Sequence, residues 1–276
     1  MYPRRSQPRT LALALATKES ITAMHITSLL EVIHAAHHSW LVHSPWEERG
    51  GILIIAPPGQ LKTTIILSLE AYAEALCLSD LNIRSMKSIR DQVLGGRYKT
   101  LAFSELEKLY ARNPATASNV EAHLKQFVEE GLRHFSHEDQ SAAIMPARAL
   151  VVGGITPGMY GKLLTAWTES GFLRRFLRIQ YALRDEKVLL QAIHNWKKVG
   201  FEVPVTWDGR TMIKYDLEES ESKRVMHAMR DQLDSTPTVL LKRICQVLKR
   251  RKPDKWKSIL EDIAPALGRN GALLEL

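Results

Sequence analysis

The residues best placed to do chemistry lie in the stretch GGILIIAPPGQLKTTII, 50–66. Branched aliphatics (Ile52–Ile55) run into Ala56, Pro57, Pro58, Gly59, Gln60 and Leu61, and Lys62, Thr63 and Thr64 then open a further apolar run. A strand that turns tightly into a helix aims consecutive backbone N–H groups at one point, which suits a phosphate. A lysine at the helix start adds an ammonium, and the hydroxyl after it can ligate Mg²⁺. The spacing is that of G-x-x-x-x-G-K-[ST] with both glycines replaced, by Ala56 and by Leu61. Ala56 is small enough to clear a phosphate, and Gly59 keeps a close backbone approach in mid-loop. Leu61 is expected to crowd the phosphate or to be driven to a φ that a non-glycine residue dislikes.

Three further stations follow at the ends of apolar runs. TLAFSELEKLY puts Ser104 and Glu105 where such a nucleotide site carries Asp-Glu. Glu105 then stands as the water-activating carboxylate, and Ser104 offers a metal-bound water an uncharged hydroxyl. ALVVGGITPGMYGK places Thr156 in a Gly-Gly-Ile-Thr-Pro turn, a polar residue beside an attacking water. SGFLRRFLRI brings Arg174 and Arg175 just ahead of another strand, and arginine there suits transition-state charge on a neighbouring subunit's nucleotide.

These residues need a scaffold, and the chain alternates strands with helices to supply one. A helix is expected from Ile21 to about Val42, with a buried strand at Ile52–Ile55 and a helix from Lys62 to about Leu76. ALCLSD reads as a short strand, and Ile83–Val93 as a helix closed by Gly95-Gly96. YKTLAFSE, ARALVVGGIT and FLRIQYAL read as strands, separated by helices at Ala117–Phe135 and Met159–Ser170. Repeated β-α-β units of about 20–30 residues argue for a parallel sheet with helices on both faces. Beyond Asp185 the texture changes. FEVPVTWDG reads as strand or loop, and charged helices follow at Leu217–Leu233, Thr238–Lys249 and Lys255–Ile263. The expected division is a basic tail over 1–20, a core over 21–185 and a helical lid over 186–276.

Composition bounds the partners. A net charge of +8 over 276 residues favours polyanions, and LLKRICQVLKRRKPDKWK concentrates basic residues beside Trp256. Single- or double-stranded DNA is the expected partner there. Cys77 and Cys245 stand far apart with no metal spacing, and no run reaches the ~18 apolar residues of a membrane span. A cytoplasmic protein with no membrane contact is expected. His34 and His38 stand at i, i+4, and a solvated helix face is the expectation for them over a metal pair.

Taken in order, APPGQLKT (56–63), AFSE (102–105), GGITP (153–157) and GFLRRF (171–176) resemble the AAA+ ATPase family. The likeness is to its helicase-like branch of phage, plasmid and MCM type, with Walker A and Walker B motifs in degenerate form. It implies an α/β fold: a three-layer P-loop NTPase with a parallel sheet and a small C-terminal helical lid. It implies ATP with Mg²⁺ as cofactors, bound by the loop Pro57–Thr64, with Lys62 on the phosphates and Thr63 and Ser104 at the metal. Glu105 would be the catalytic base, Thr156 the sensor and Arg175 the trans-acting finger of a homo-oligomeric ring that handles DNA in replication of a mobile element. The family's lid arginine is replaced by Ser235, Thr236 and Pro237, with Arg243 further in. A nucleotide-gated scaffold that binds without turnover is the alternative that Leu61 and Ser104 keep open.

Overall fold

The structure is a computed structural model and describes residues 20–43, 48–78, 83–110, 114–132, 146–182, 212–228 and 235–267. The basic tail at 1–19 and the FEVPVTWDG segment lie outside the described residues. Helix α1 (Ser20–His37) leads through a 3-10 turn, His38–Leu41, to β1 (Val42–His43). Then come β2 (Gly51–Ile55), α2 (Lys62–Leu67), β3 (Ala75–Leu78), α3 (Ile83–Leu94), β4 (Thr100–Phe103) and α4 (Pro114–Lys125). β5 (Leu150–Ile155), α5 (Pro157–Glu169) and β6 (Phe176–Gln180) complete the alternation. β7 (Ile213–Lys214), α6 (Glu219–Ala228), α7 (Ser235–Arg251) and α8 (Trp256–Ile263) follow.

Five parallel strands form the main sheet in the order β3-β4-β5-β2-β6. β2 therefore sits inside, hydrogen-bonded to β5 and β6, and all five of its residues are buried. Period-two alternation splits its aliphatics between two cores. Ile52 and Ile54 face α1, α2, α7 and α8, while Leu53 and Ile55 face α3, α4 and α5. This is the α/β arrangement expected, a parallel sheet covered on both faces. β1 and β7 pair separately as a short parallel ribbon. The C-terminal helices are not set apart from the sheet: Leu240, Ile244, Trp256 and Leu260 are buried in one cluster with Ile52 and Ile54.

Three helices stop earlier than their periodicity suggests, each for a local reason. α1 ends at His37, where His38 Nδ1–H donates to the His34 carbonyl at 2.9 Å, taking up the acceptor of a continuing helical turn. α2 has six residues, and the Ser68 hydroxyl bonds back to the Ile65 carbonyl at 2.6 Å before a 3-10 turn leads to β3. α4 widens into a π-turn at Gln126–Glu130 and closes at Gly131, whose φ is 79°.

The histidine-rich helix is a buried face. His34, His37 and His38 are 3%, 2% and 6% exposed and surround Tyr72. The expected solvated face is thus corrected, because the side of α1 that carries these imidazoles packs under the sheet. Ser68 has one proton, given to Ile65, so at 2.9 Å its oxygen accepts from His34 Nε2–H. His34 Nδ1 then accepts from the Tyr72 hydroxyl at 2.8 Å, a satisfied neutral tautomer. His37 Nδ1 meets the Thr100 hydroxyl at 2.9 Å and its ring stacks on Tyr72. Burial is the main cause that lowers all three: His34 to about 3, His38 to about 4, and His37 well below its ordinary value.

Neutral in the fold and free to protonate near pH 6.5 when unfolded, these groups give stability that is whole above pH 6.5. It falls as pH drops toward about 4, because only the unfolded chain takes up protons there. His34 and His38 are each expected to cost about 1.4 kcal/mol at pH 5.5. Urea unfolding between pH 7.5 and 4.5 should show this decline, and His38→Gln should shallow it. A midpoint flat across that range would refute the account.

Candidate functional site

The carboxyl ends of β4, β5 and β2 lie side by side, since Phe103 pairs with Gly153 and Ile155 with Ile55. Open parallel sheets bind ligands outside this edge. The connections leaving β2 and β5 run on opposite faces, through α2 and α5.

The loop after β2 is anchored on both sides. Ala56 N–H donates to the Ile155 carbonyl at 3.2 Å. From the end of β6 the buried Tyr181 hydroxyl donates to the Gln60 carbonyl at 2.7 Å. Pro58 and Gly59 at the tip are exposed, while Pro57 and Gln60 are half-buried. Gly59 has φ 78° and nothing within 4 Å of a Cβ placed on it. Leu61 has φ 60°, the one positive φ of a non-glycine residue among those described. The tension read from the sequence is therefore present: a left-handed backbone where the pattern has glycine, held by a leucine that packs against the core. Such a conformation costs about 1–2 kcal/mol for an L-residue and persists where surrounding structure enforces it.

Lys62 follows at the first position of α2 and is 7% exposed. Its stem passes over β5, where a Cβ on Gly154 would lie 3.1 Å from Lys62 Cδ and 2.5 Å from the Ser104 carbonyl oxygen. The Gly-Gly of β5 is thus the bare backbone that lets α2 and the end of β4 close together. Burial lowers the Lys62 pKa, and Glu107 and then Glu105 oppose that shift. Thr63 and Thr64 are half-buried beside it.

Ser104 is buried at the end of β4. Glu105 turns outward: its side chain is 39% exposed and pairs with Lys108 at 2.7 Å. Glu107 turns inward. Its Oε2 accepts from Thr156 N–H at 2.9 Å and from the Thr156 hydroxyl at 2.7 Å. Thr156 is the N-cap of α5 yet makes no side-chain cap, because its hydroxyl is committed to Glu107. The structure thus gathers Lys62, Ser104, Glu107 and Thr156 at one edge.

Glu107 and Tyr181 were not singled out by the sequence. The signal for Glu107 was a second carboxylate two residues on, and for Tyr181 a phenol inside an apolar strand, whose buried hydroxyl needs a partner.

Arg174 and Arg175 precede β6 at the opposite edge, about 15 Å away across a five-residue strand. Arg175 is buried. Its Nε lies 2.5 Å from Glu129 Oε2, and its Nη1 donates to the Gly171 carbonyl at 2.6 Å. Arg174 remains 57% exposed. The basic C-terminal stretch is partly engaged as well: Lys249 with Glu221 at 3.0 Å and Lys252 with Glu31 at 2.5 Å. Trp256 is buried in the core and Arg243 is buried with a bond to the Glu48 carbonyl.

No family model, curated protein or solved structure matches the chain. The geometry must therefore speak for itself. Among the described residues no helix is long and apolar enough to cross a membrane. Nor does any group of three or more His, Cys, Asp or Glu gather as a metal site among them.

The strain at Leu61 is measurable. Leu61→Ala and Leu61→Gly remove the same packing to within a methyl group, but only glycine accepts φ 60° freely. The glycine variant should be more stable than the alanine variant by about 1 kcal/mol in urea unfolding, opposite to the order usual in ordinary backbone. Gly154→Ala, with a backbone oxygen 2.5 Å from the new methyl, should destabilise by ~2 kcal/mol or more.

Proposed function

We propose that this chain is an ATP-binding, P-loop protein of AAA+ type that hydrolyses ATP slowly with Mg²⁺. The observation that carries the reading is the left-handed Leu61 immediately before the buried Lys62, at the carboxyl edge of an internal parallel strand. A left-handed residue in a turn bends successive N–H groups toward one point, and strain held at a ligand edge is a mark of function. The exposed loop tip gives a phosphate chain access, and Lys62 supplies its cation. The hydroxyls of Thr63 and Ser104 would hold Mg²⁺, which prefers hard oxygen ligands. When bound, the metal would supply neutralisation of phosphate charge.

The arginines before β6 are too distant to serve their own loop. In a ring of copies that edge would face the next subunit's nucleotide, with Arg174 the exposed member and Arg175 released from Glu129. Coupling to DNA draws on the net charge of +8 and the basic end of α7. A nucleotide-gated scaffold is the second reading. It is favoured by an uncharged Ser104 at the metal position and by the internal pairing of Arg175.

Binding of a fluorescent ATP analogue with Mg²⁺, followed by phosphate release with and without single-stranded DNA, tests the proposal. Lys62→Ala should weaken binding at least tenfold, the loss of a charge-assisted contact. Unchanged binding in that variant, or no binding by wild type, would remove the reading; binding without turnover would select the scaffold.

A further inference from the structure

Resting on the nucleotide reading above, we propose that Glu107, and not Glu105, is the carboxylate that activates water at the γ-phosphate, with Thr156 as the residue that positions it. The sequence pattern favours Glu105 because it ends the apolar run of β4. The chain then turns into a 3-10 segment, Leu106–Leu109, and this turn decides which carboxylate faces the loop. Glu105 is carried outward to Lys108. Glu107 is carried toward β5, the strand next to the one that bears the loop.

A general base has to be held still, and Glu107 is. One of its oxygens takes two donors from Thr156, the backbone N–H and the hydroxyl, at 2.9 and 2.7 Å. A carboxylate has about four lone-pair sites, so acceptor capacity remains for a water. Thr156 gives up its ordinary role at the start of α5 to make this contact, which marks the pairing as a built feature of the edge. Glu107 and then Glu105 oppose the lowering of the Lys62 pKa, so both carboxylates act on the cation that would hold the phosphates.

The chemistry balances with water alone. The water oxygen forms a bond to the γ-phosphorus while its proton passes to the Glu107 carboxylate. The bond from that phosphorus to the bridging oxygen breaks, and ADP leaves with the electron pair, its negative charge met by Lys62. Phosphate departs and Glu107 returns its proton to solvent.

The test separates this assignment from the nucleotide reading by measuring binding before turnover. Glu107→Gln keeps an oxygen that can accept from Thr156, so a merely structural role would survive it, whereas a base would not. It is expected to lower kcat about 100-fold or more with the ATP Kd within about threefold, since general-base catalysis contributes roughly 10²–10⁴. Thr156→Val, which removes one of the two donors, should fall about tenfold in kcat. Glu105→Gln should lower kcat clearly less than Glu107→Gln does. A loss confined to Glu105→Gln, with Glu107→Gln at the wild-type rate, overturns the inference and leaves the nucleotide reading standing. Wild-type protein that binds ATP without turnover overturns it too. Absence of ATP binding removes both.

Discussion

The carboxyl edge of this protein depends on one close approach, the passage of the Lys62 stem over the bare backbone of Gly154. A side chain on β5 at that point would strike Lys62, Ile66 and the Ser104 carbonyl together. Because none is there, α2 can begin against the sheet, β4 can end beside it, and the loop between β2 and α2 has to turn within six residues. Leu61 absorbs that turn in a left-handed conformation, and the anchors at Ala56 and Tyr181 keep it from relaxing. Strain, anchoring and burial are thus parts of one constraint rather than separate features of the loop.

The same helix is gripped from behind. His34 on α1 holds Ser68, which in turn holds the end of α2, and Tyr72 closes the group. A polar cluster in an apolar layer is tolerable only when every member has a partner, and the neutral tautomer of His34 meets that condition. Burial of His37 and His38 against Tyr72 extends the cluster to Thr100 at the start of β4. Helix α2 and strand β4, which both lead into the site, therefore rest on the same buried platform, and α7 and α8 share its core.

Charge is distributed by edge. The carboxyl edge carries one buried lysine with Glu105 and Glu107 near it, and the amino edge carries Arg174 and Arg175 with Glu129 and Glu130. Within a single chain these two sets lie a strand's length apart and cannot meet. The pairing of Arg175 with Glu129 also means that its charge is already compensated, so any outside use of it would compete with a partner 2.5 Å away.

Much of this was legible in the residues alone. The buried strand at Ile52–Ile55, the alternation of strands and helices, and the loop with its misplaced leucine follow from local pattern, because periodicity and turn chemistry are properties of neighbours in sequence. The tension at Leu61 could be read for the same reason: a leucine stands where the pattern has glycine, directly before the lysine. Side-chain direction at strand ends could not be read. Glu105 and Glu107 are two residues apart and chemically alike, and only the 3-10 turn after β4 and the position of Thr156 just beyond the adjacent strand β5 decide which is held at the loop edge. Likewise the polar residues of α1 looked like a wet face, since helical spacing shows that a face exists but not what packs against it. Contacts between residues tens to hundreds of positions apart, such as His34 with Tyr72 or Tyr181 with Gln60, arise when the sheet assembles, so tertiary structure alone decided them.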